Sequence, residues 1–165
     1  VDRLPDRGTG GGVQVPGIQT DRTWAIDAGV DEVWSRVCDT GAYGDWWPWL
    51  TEFDHGPGLV AGSTWSCAVA PPLPYVVRFD LHLDRVGPGR HVEARVRGDI
   101  QGHARLALHN DGARSCVRLV SDLHPANSLL RAVALVARPM VERGHNWVLD
   151  AGFRQFVRAG LGRSR

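Results

Sequence analysis

The chain has 165 residues, 43% hydrophobic and 22% charged, with a formal net charge of +1; that is chain enough for one globular domain burying roughly 70% of its unfolded surface, without the clustered positive charge that nucleic acid requires. All 19 basic residues are arginine, which excludes a phosphate-binding loop ending in Gly-Lys-Ser/Thr and Schiff-base or pyridoxal chemistry, which needs an amine nucleophile. Cys38, Cys67 and Cys116 are odd in number and far apart, so they fit neither a disulfide framework nor a zinc site, and a reduced, cytoplasmic compartment is expected.

Residues Val1 to Gly17 contain five glycines and two prolines and are expected to form a flexible leader. They lack the apolar stretch of a signal peptide, which again points to the cytoplasm. Gln19 to Ile26 reads as a first strand. Asp31 is expected to cap a short helix carrying Val33, Trp34 and Val37. Pro48 ends any helix in the tryptophan-rich run Ala42 to Leu50. Gly56, Gly58 and Ala61 match a dinucleotide-binding loop formally, but Pro57 interrupts the match and no helix pattern follows.

Beyond this the hydrophobic period becomes two. Ser63 to Ala70 places Trp65, Cys67 and Val69 on one face. Tyr75, Val77, Phe79, Leu81 and Leu83 alternate with Arg78, Asp80, His82 and Asp84. Three more runs follow: Val92 to Gly98, Ile100 to Leu108 and Val117 to Leu123. Each has one apolar and one polar face, as in an antiparallel sheet wetted on one side. The turns are marked by Gly87-Pro88-Gly89 and Asn110-Asp111-Gly112. The arginines, carboxylates and histidines of the polar face are of mixed sign and suit cross-strand pairing; no metal is expected there, since no His-Glu-x-x-His helix is present.

From Asn127 to about Gly160 the period is helical, with a stripe from Leu130 to Phe156 through Val141, Leu149 and Gly152. Pro139 is expected to kink or restart this helix. The longest apolar stretch, Leu129 to Val141, contains Arg131 and Arg138 and is too short to span a bilayer. The order is strand, two short helices, a run of strands and a long C-terminal helix, and a sheet with one apolar face needs that helix as its cover. The expected class is α+β, with a leader over 1–17, one domain over 18–160 and a tail over 161–165.

Several segments resemble the START-like (SRPBCC) superfamily, in which a curved antiparallel sheet of about six to seven strands grips a long C-terminal helix around an apolar cavity. Asp39 to Trp49, with Tyr43 and Trp46-Trp47-Pro48-Trp49, resembles the segment after that family's first helix. Gly98-Asp99-Ile100-Gln101-Gly102 resembles the Gly-Asp-Leu-x-Gly of its actinobacterial polyketide cyclase/dehydrase-like members. Arg138-Pro139, His145 and Gly152 resemble an Arg-Pro…His…Gly pattern on their last helix. The likeness covers about Gln19 to Ala159. It departs at Gly144, where an aromatic or polar residue is expected and where glycine costs helix stability.

The resemblance implies a binder of a small hydrophobic molecule, polyketide-like or lipid-like, with no cofactor. His145 should face the sheet, where it would bond a ligand oxygen, act as a general acid or base, or be held by a backbone carbonyl or by Tyr75. Trp47 and Trp65 are expected to stack on a ligand or to pack as core together with Trp46 and Trp49. Tyr75 would hold a ligand oxygen or satisfy the backbone at a strand's start. Val77, Phe79, Val96, Ala104, Ser121, Val141 and Leu149 complete the expected lining. Ala94, Gly98, Gly102 and Ala104 suggest space. Asp99 should point outward and bond between strands. Two other readings stand beside ligand binding: a polyketide cyclase/dehydratase using His145, and a protein–protein module with a vestigial cavity. Oligomeric state stays open, since a free sheet edge could pair two copies.

Overall fold

A computed structural model describes residues 17–87 and 90–162. Residues 1–16 of the leader expected over 1–17, Pro88-Gly89 of one expected turn and residues 163–165 of the tail expected over 161–165 lie outside the described residues.

The described residues open with β1 (Ile18–Ile26) and α1 (Val30–Cys38). The cap of α1 is Gly29, not Asp31. Asp31 instead lies in the first turn, where a carboxylate favours the helix dipole, and it pairs with Arg90. A 3-10 turn (Thr40–Ala42) and α2 (Tyr43–Trp46) follow. Six further strands complete the sheet: β2 (Leu50–Asp54), β3 (Thr64–Val69), β4 (Val77–Gly87), β5 (His91–Gly98), β6 (Ile100–Asp111) and β7 (Arg114–Pro125). All neighbours are antiparallel, in the order β1-β7-β6-β5-β4-β3-β2. Beta-2 is an addition to the strands expected from the sequence, and Tyr75 precedes β4 instead of opening it.

The expected C-terminal helix is two helices. Alpha-3 (Ser128–Val136) and α4 (Arg138–Gln155) are separated by Ala137, and a π-helical turn (Phe156–Leu161) ends the unit. Pro139 at the start of α4 fits a helix beginning, where no amide donor is needed. The result is the helix-grip architecture: a curled seven-stranded antiparallel sheet around a long C-terminal helix.

Two glycines produce the curl between β5 and β6. Gly98 and Gly102 have φ of +146° and +150°. A Cβ on Gly98 would lie 2.6 Å from the Arg78 carbonyl oxygen, and one on Gly102 only 1.9 Å from that of Asp122. These glycines let neighbouring strands approach; they do not open space, as the inward small residues had suggested. Asp99 locks the corner between them. Its carboxylate accepts from the Arg78 amide at 2.8 Å and from the Asn127 side chain at 2.7 Å. Asn127 in turn caps α3, its side-chain oxygen accepting from the Leu130 amide at 2.7 Å. One corner of the sheet thus fixes where α3 begins.

The grip between sheet and helices is filled at one end. Tyr43, Trp46, Trp47, Trp49, Phe53, Trp65 and Phe156 form a continuous ring cluster, with Tyr43 and Trp47 centred 4.6 Å apart. The cost of burying indole and phenol donors is offset by partners. Trp47 donates to the Gly152 carbonyl at 2.9 Å, Trp49 to Gln155 Oε1 at 2.7 Å, Trp65 to the Gly58 carbonyl at 3.0 Å and Tyr43 to the Val37 carbonyl at 2.5 Å. Gly56 and Gly58 shape this loop under Trp65.

Candidate functional site

The other end of the grip is hollow. A cavity of about 210 Å³ lies between the sheet and the two C-terminal helices. The sheet contributes Ile18, Val69, Val77, Phe79, Ile100 and Leu123, and α3 and α4 contribute Leu130, Ala134, Val141, Val148 and Leu149. Alternation on each strand turns these apolar residues to one face, and helical spacing does the same on α4. Alpha-3 forms part of the wall with Leu130 and Ala134, while Leu129, Leu135 and Val136 point outward and are exposed.

Four side chains with polar atoms interrupt the apolar wall: Tyr75, His124, Arg138 and His145. His145 Nε2 is hydrogen-bonded to Thr20 Oγ1 at 2.8 Å. Its partner is therefore a β1 hydroxyl, not the backbone carbonyl or Tyr75 that the sequence suggested. Two residues along β1, Arg22 donates to Asp150 Oδ1 at 2.5 Å and to Asn146 Oδ1 at 2.9 Å. Thr20 and Arg22 share a strand face, so together they fasten α4 to the edge of the sheet. Burial first, and the Arg22 guanidinium second, hold the His145 pKa below its usual 6.5, so the imidazole is neutral at pH 7.

This has a consequence for stability. Below about pH 6.5 the unfolded chain binds a proton at residue 145 that the folded chain resists. The contribution of neutral His145 is therefore complete above pH 6.5 and is lost as pH falls from there through the lower folded-state value. His145→Gln should flatten the decline in stability between about pH 7 and pH 5, read by urea unfolding at each pH. An unchanged slope would place the acid sensitivity elsewhere.

Tyr75 reaches the cavity from the loop before β4, where its amide donates to the Leu73 carbonyl at 2.8 Å. Its hydroxyl lies over Gly144: a Cβ there would be 2.7 Å from Tyr75 Oη and 2.7 Å from Leu73 Cδ1. This is the physical reason for the glycine that looked like a departure in the helix. Burial raises the Tyr75 pKa, so the phenol is protonated at neutral pH. Among the described residues no hydrogen-bond partner meets its hydroxyl.

The expected lining divides in two. Tyr75, Val77, Phe79, Val141, His145 and Leu149 meet at the cavity. Trp47 and Trp65 lie in the aromatic cluster at the filled end. Val96 is buried on β5 between Leu81 and Gly102, and Ser121 sits between Thr20 of β1 and Ala104 of β6; none of these three lines the cavity. Thr20 was missed, and so were the wall residues Ile18, Ile100, Leu123, Leu130 and Ala134. Among the described residues no group of His, Cys, Asp and Glu is placed to hold a metal, and no helix is long and apolar enough to cross a membrane. The three cysteines are free. Burial, with help from Asp80, pushes the Cys67 thiol up to about 12, which leaves it un-ionised at neutral pH.

No family model and no curated protein matches the sequence. Solved structures do match its fold. A Thermus thermophilus protein aligns with a TM-score of 0.76 at 11% identity, covering 90% of this chain and all of that one. The Zhui aromatase/cyclase of a Streptomyces species aligns at 0.67 and 14% identity, covering 90% and 99% of the two chains. A START superfamily protein from Mycobacterium smegmatis aligns at 0.65 and 14% identity, covering 87% and 97%. Identities this low establish a shared fold. The molecule is a helix-grip protein with an apolar cavity under its C-terminal helices, and its structural neighbours include START/SRPBCC-superfamily proteins.

Proposed function

We propose that the chain binds a compact, mainly apolar molecule of one or two rings in this cavity. The observation that carries the reading is the cavity itself: an apolar hollow with a phenol at its wall that meets no hydrogen-bond partner among the described residues. Apolar burial supplies affinity, and the few polar groups supply orientation. Tyr75 Oη donates to, or accepts from, a ligand oxygen, His145 offers a neutral imidazole, and Val77, Phe79, Val141 and Leu149 surround the rings. Size selects the class. A cavity of about 150 Å³ accommodates benzene, so about 210 Å³ suits one or two fused rings better than a long acyl chain or a large polycycle. Trp47, Trp65, Val96, Ala104 and Ser121 have no ligand contact in this reading.

Native mass spectrometry and tryptophan-fluorescence titration against 2-naphthol, larger polycycles and palmitate test it. For the 11 heavy atoms of 2-naphthol, about 0.5–0.75 kcal/mol per atom corresponds to a Kd of roughly 1–100 μM. Palmitate should bind far more weakly. Absence of every adduct on demonstrably folded protein would overturn the reading and favour a protein–protein module.

A second reading makes the same cavity a polyketide cyclase/dehydratase site. A neutral histidine in a largely apolar hollow favours it, since such a group takes up a proton in the reaction without first having to lose one. Likeness of fold to an aromatase/cyclase is support by analogy only. His145→Ala separates the readings: binding persists in both, but turnover of a cyclisable polyketide collapses only in the second.

A further inference from the structure

A guanidinium stands in the cavity wall. Among the described residues of the lining, Arg138, the first residue of α4, is the one arginine, and none is a carboxylate. Arg138 also lines a shallow outer groove with Gln19, Glu142 and Asn146, so it stands between the hollow and the surface. Its side chain is half exposed. Arg138 Nε donates to Glu142 Oε1 at 2.7 Å, while its terminal nitrogens meet no partner among the described residues. An exposed pair one helical turn apart is weak and readily exchanged.

From this placement we infer that the preferred ligand is an amphiphilic acid: a one- or two-ring apolar body in the cavity and a carboxylate at the mouth against the Arg138 guanidinium. The inference rests on the proposed ligand binding and adds the charge of the ligand to it. The physical ground is desolvation. A neutral ligand seated in the hollow covers part of a cation and strips water from it without replacing the lost bonds. A carboxylate at the mouth restores them with charge-assisted, planar hydrogen bonds that match the guanidinium fork. The apolar depth and the cationic mouth thus select for the two parts of one molecule. Glu142 acts as a stand-in for the ligand carboxylate, holding Arg138 in position and competing with the incoming anion.

The test compares 2-naphthoate with 2-naphthamide at pH 7, where the two differ mainly in charge, by fluorescence titration of the wild-type chain. The acid should bind at least tenfold tighter. Arg138→Gln should abolish that preference, weakening naphthoate and not naphthamide, and Arg138→Lys should retain part of it. Glu142→Gln should tighten naphthoate binding several-fold by removing the competitor and leave the amide unchanged. Equal affinity for acid and amide, or a preference that survives Arg138→Gln, overturns the inference while the proposed ligand binding stands. Failure of both probes to bind folded protein overturns the two together. Arg138 is exposed and lies outside the core, so a circular dichroism spectrum and melting point matching wild type will show that each variant is folded.

Discussion

Gly102→Ala should be the most destabilising alanine substitution among the described glycines. The added Cβ would lie 1.9 Å from the Asp122 carbonyl oxygen and 3.2 Å from Leu123 Cα. Both atoms are backbone in β7, which pairs with β6 along twelve consecutive positions, so neither strand moves away cheaply. The φ of +150° adds a conformational penalty that alanine cannot avoid. Strain at such a backbone position costs about 1–3 kcal/mol and overpacking a further 1–3, so roughly 2–6 kcal/mol is lost from a total that is ordinarily about 5–15. The melting temperature should fall by roughly 4–24 °C. Gly112→Ala is the control. It also has positive φ, at +65°, but nothing lies within 4 Å of its added Cβ, so only the left-handed penalty of about 1–2 kcal/mol applies. Equal losses in the two variants would mean that the β5–β6 corner yields and that its close approach does not determine the curl.

The contrast also explains what could be read from the sequence. Gly98-Asp99-Ile100-Gln101-Gly102 was recognisable as a unit, but its glycines looked like gaps in an apolar face. Whether a missing side chain leaves room or admits a neighbouring backbone depends on strand pairing, which alternation alone does not specify. Period two located β3 to β7 well because each is at least six residues long with apolar residues alternating onto one buried or half-buried face. Beta-2 escaped because it has five residues, only half-buried apolar positions and a register shift between Leu50 and Glu52. It also follows a run of tryptophans that read as helix and core. Pro139 correctly signalled a restart of the last helix, and the break falls at Ala137, since Pro139 has no amide to donate to the Leu135 carbonyl of a continuous helix.

The candidate site was legible in part for a related reason. Helical spacing turned Val141, His145 and Leu149 toward the sheet, and alternation did the same for Val77 and Phe79. Neither says which end of a curled sheet is filled. Here aromatic rings fill the end nearest α2, which takes Trp47 and Trp65 away from the cavity, and the opposite end stays hollow. The Thr20–His145 bond joins residues 125 positions apart; local pattern carries no trace of it. Arg138 was visible only as part of a motif, and its position at the mouth follows from where α4 starts against the sheet.

Gly144 provides the largest expected effect on binding. Here too an added Cβ is crowded, but the neighbours are the ends of flexible side chains, Tyr75 Oη and Leu73 Cδ1, each at 2.7 Å. These can swing aside, and the helix gains about 1 kcal/mol when alanine replaces an interior glycine. Gly144→Ala should therefore melt within a few degrees of wild type, in contrast to Gly102→Ala, even though both add one methyl group. It should nonetheless weaken 2-naphthol binding by displacing the Tyr75 hydroxyl. Gly144→Leu carries the argument further, because the larger side chain projects into a hollow of about 210 Å³ and occupies the space of a ring. Binding of 2-naphthol should fall at least thirtyfold, equivalent to about 2 kcal/mol, while circular dichroism and the cooperative melt show a folded protein. If Gly144→Leu is folded and binds 2-naphthol as tightly as wild type, the ligand does not occupy the space beneath α4. A fold that collapses on Gly144→Leu but tolerates Gly144→Ala calls for Gly144→Val as the intermediate size, and the same thirtyfold criterion then applies to that variant.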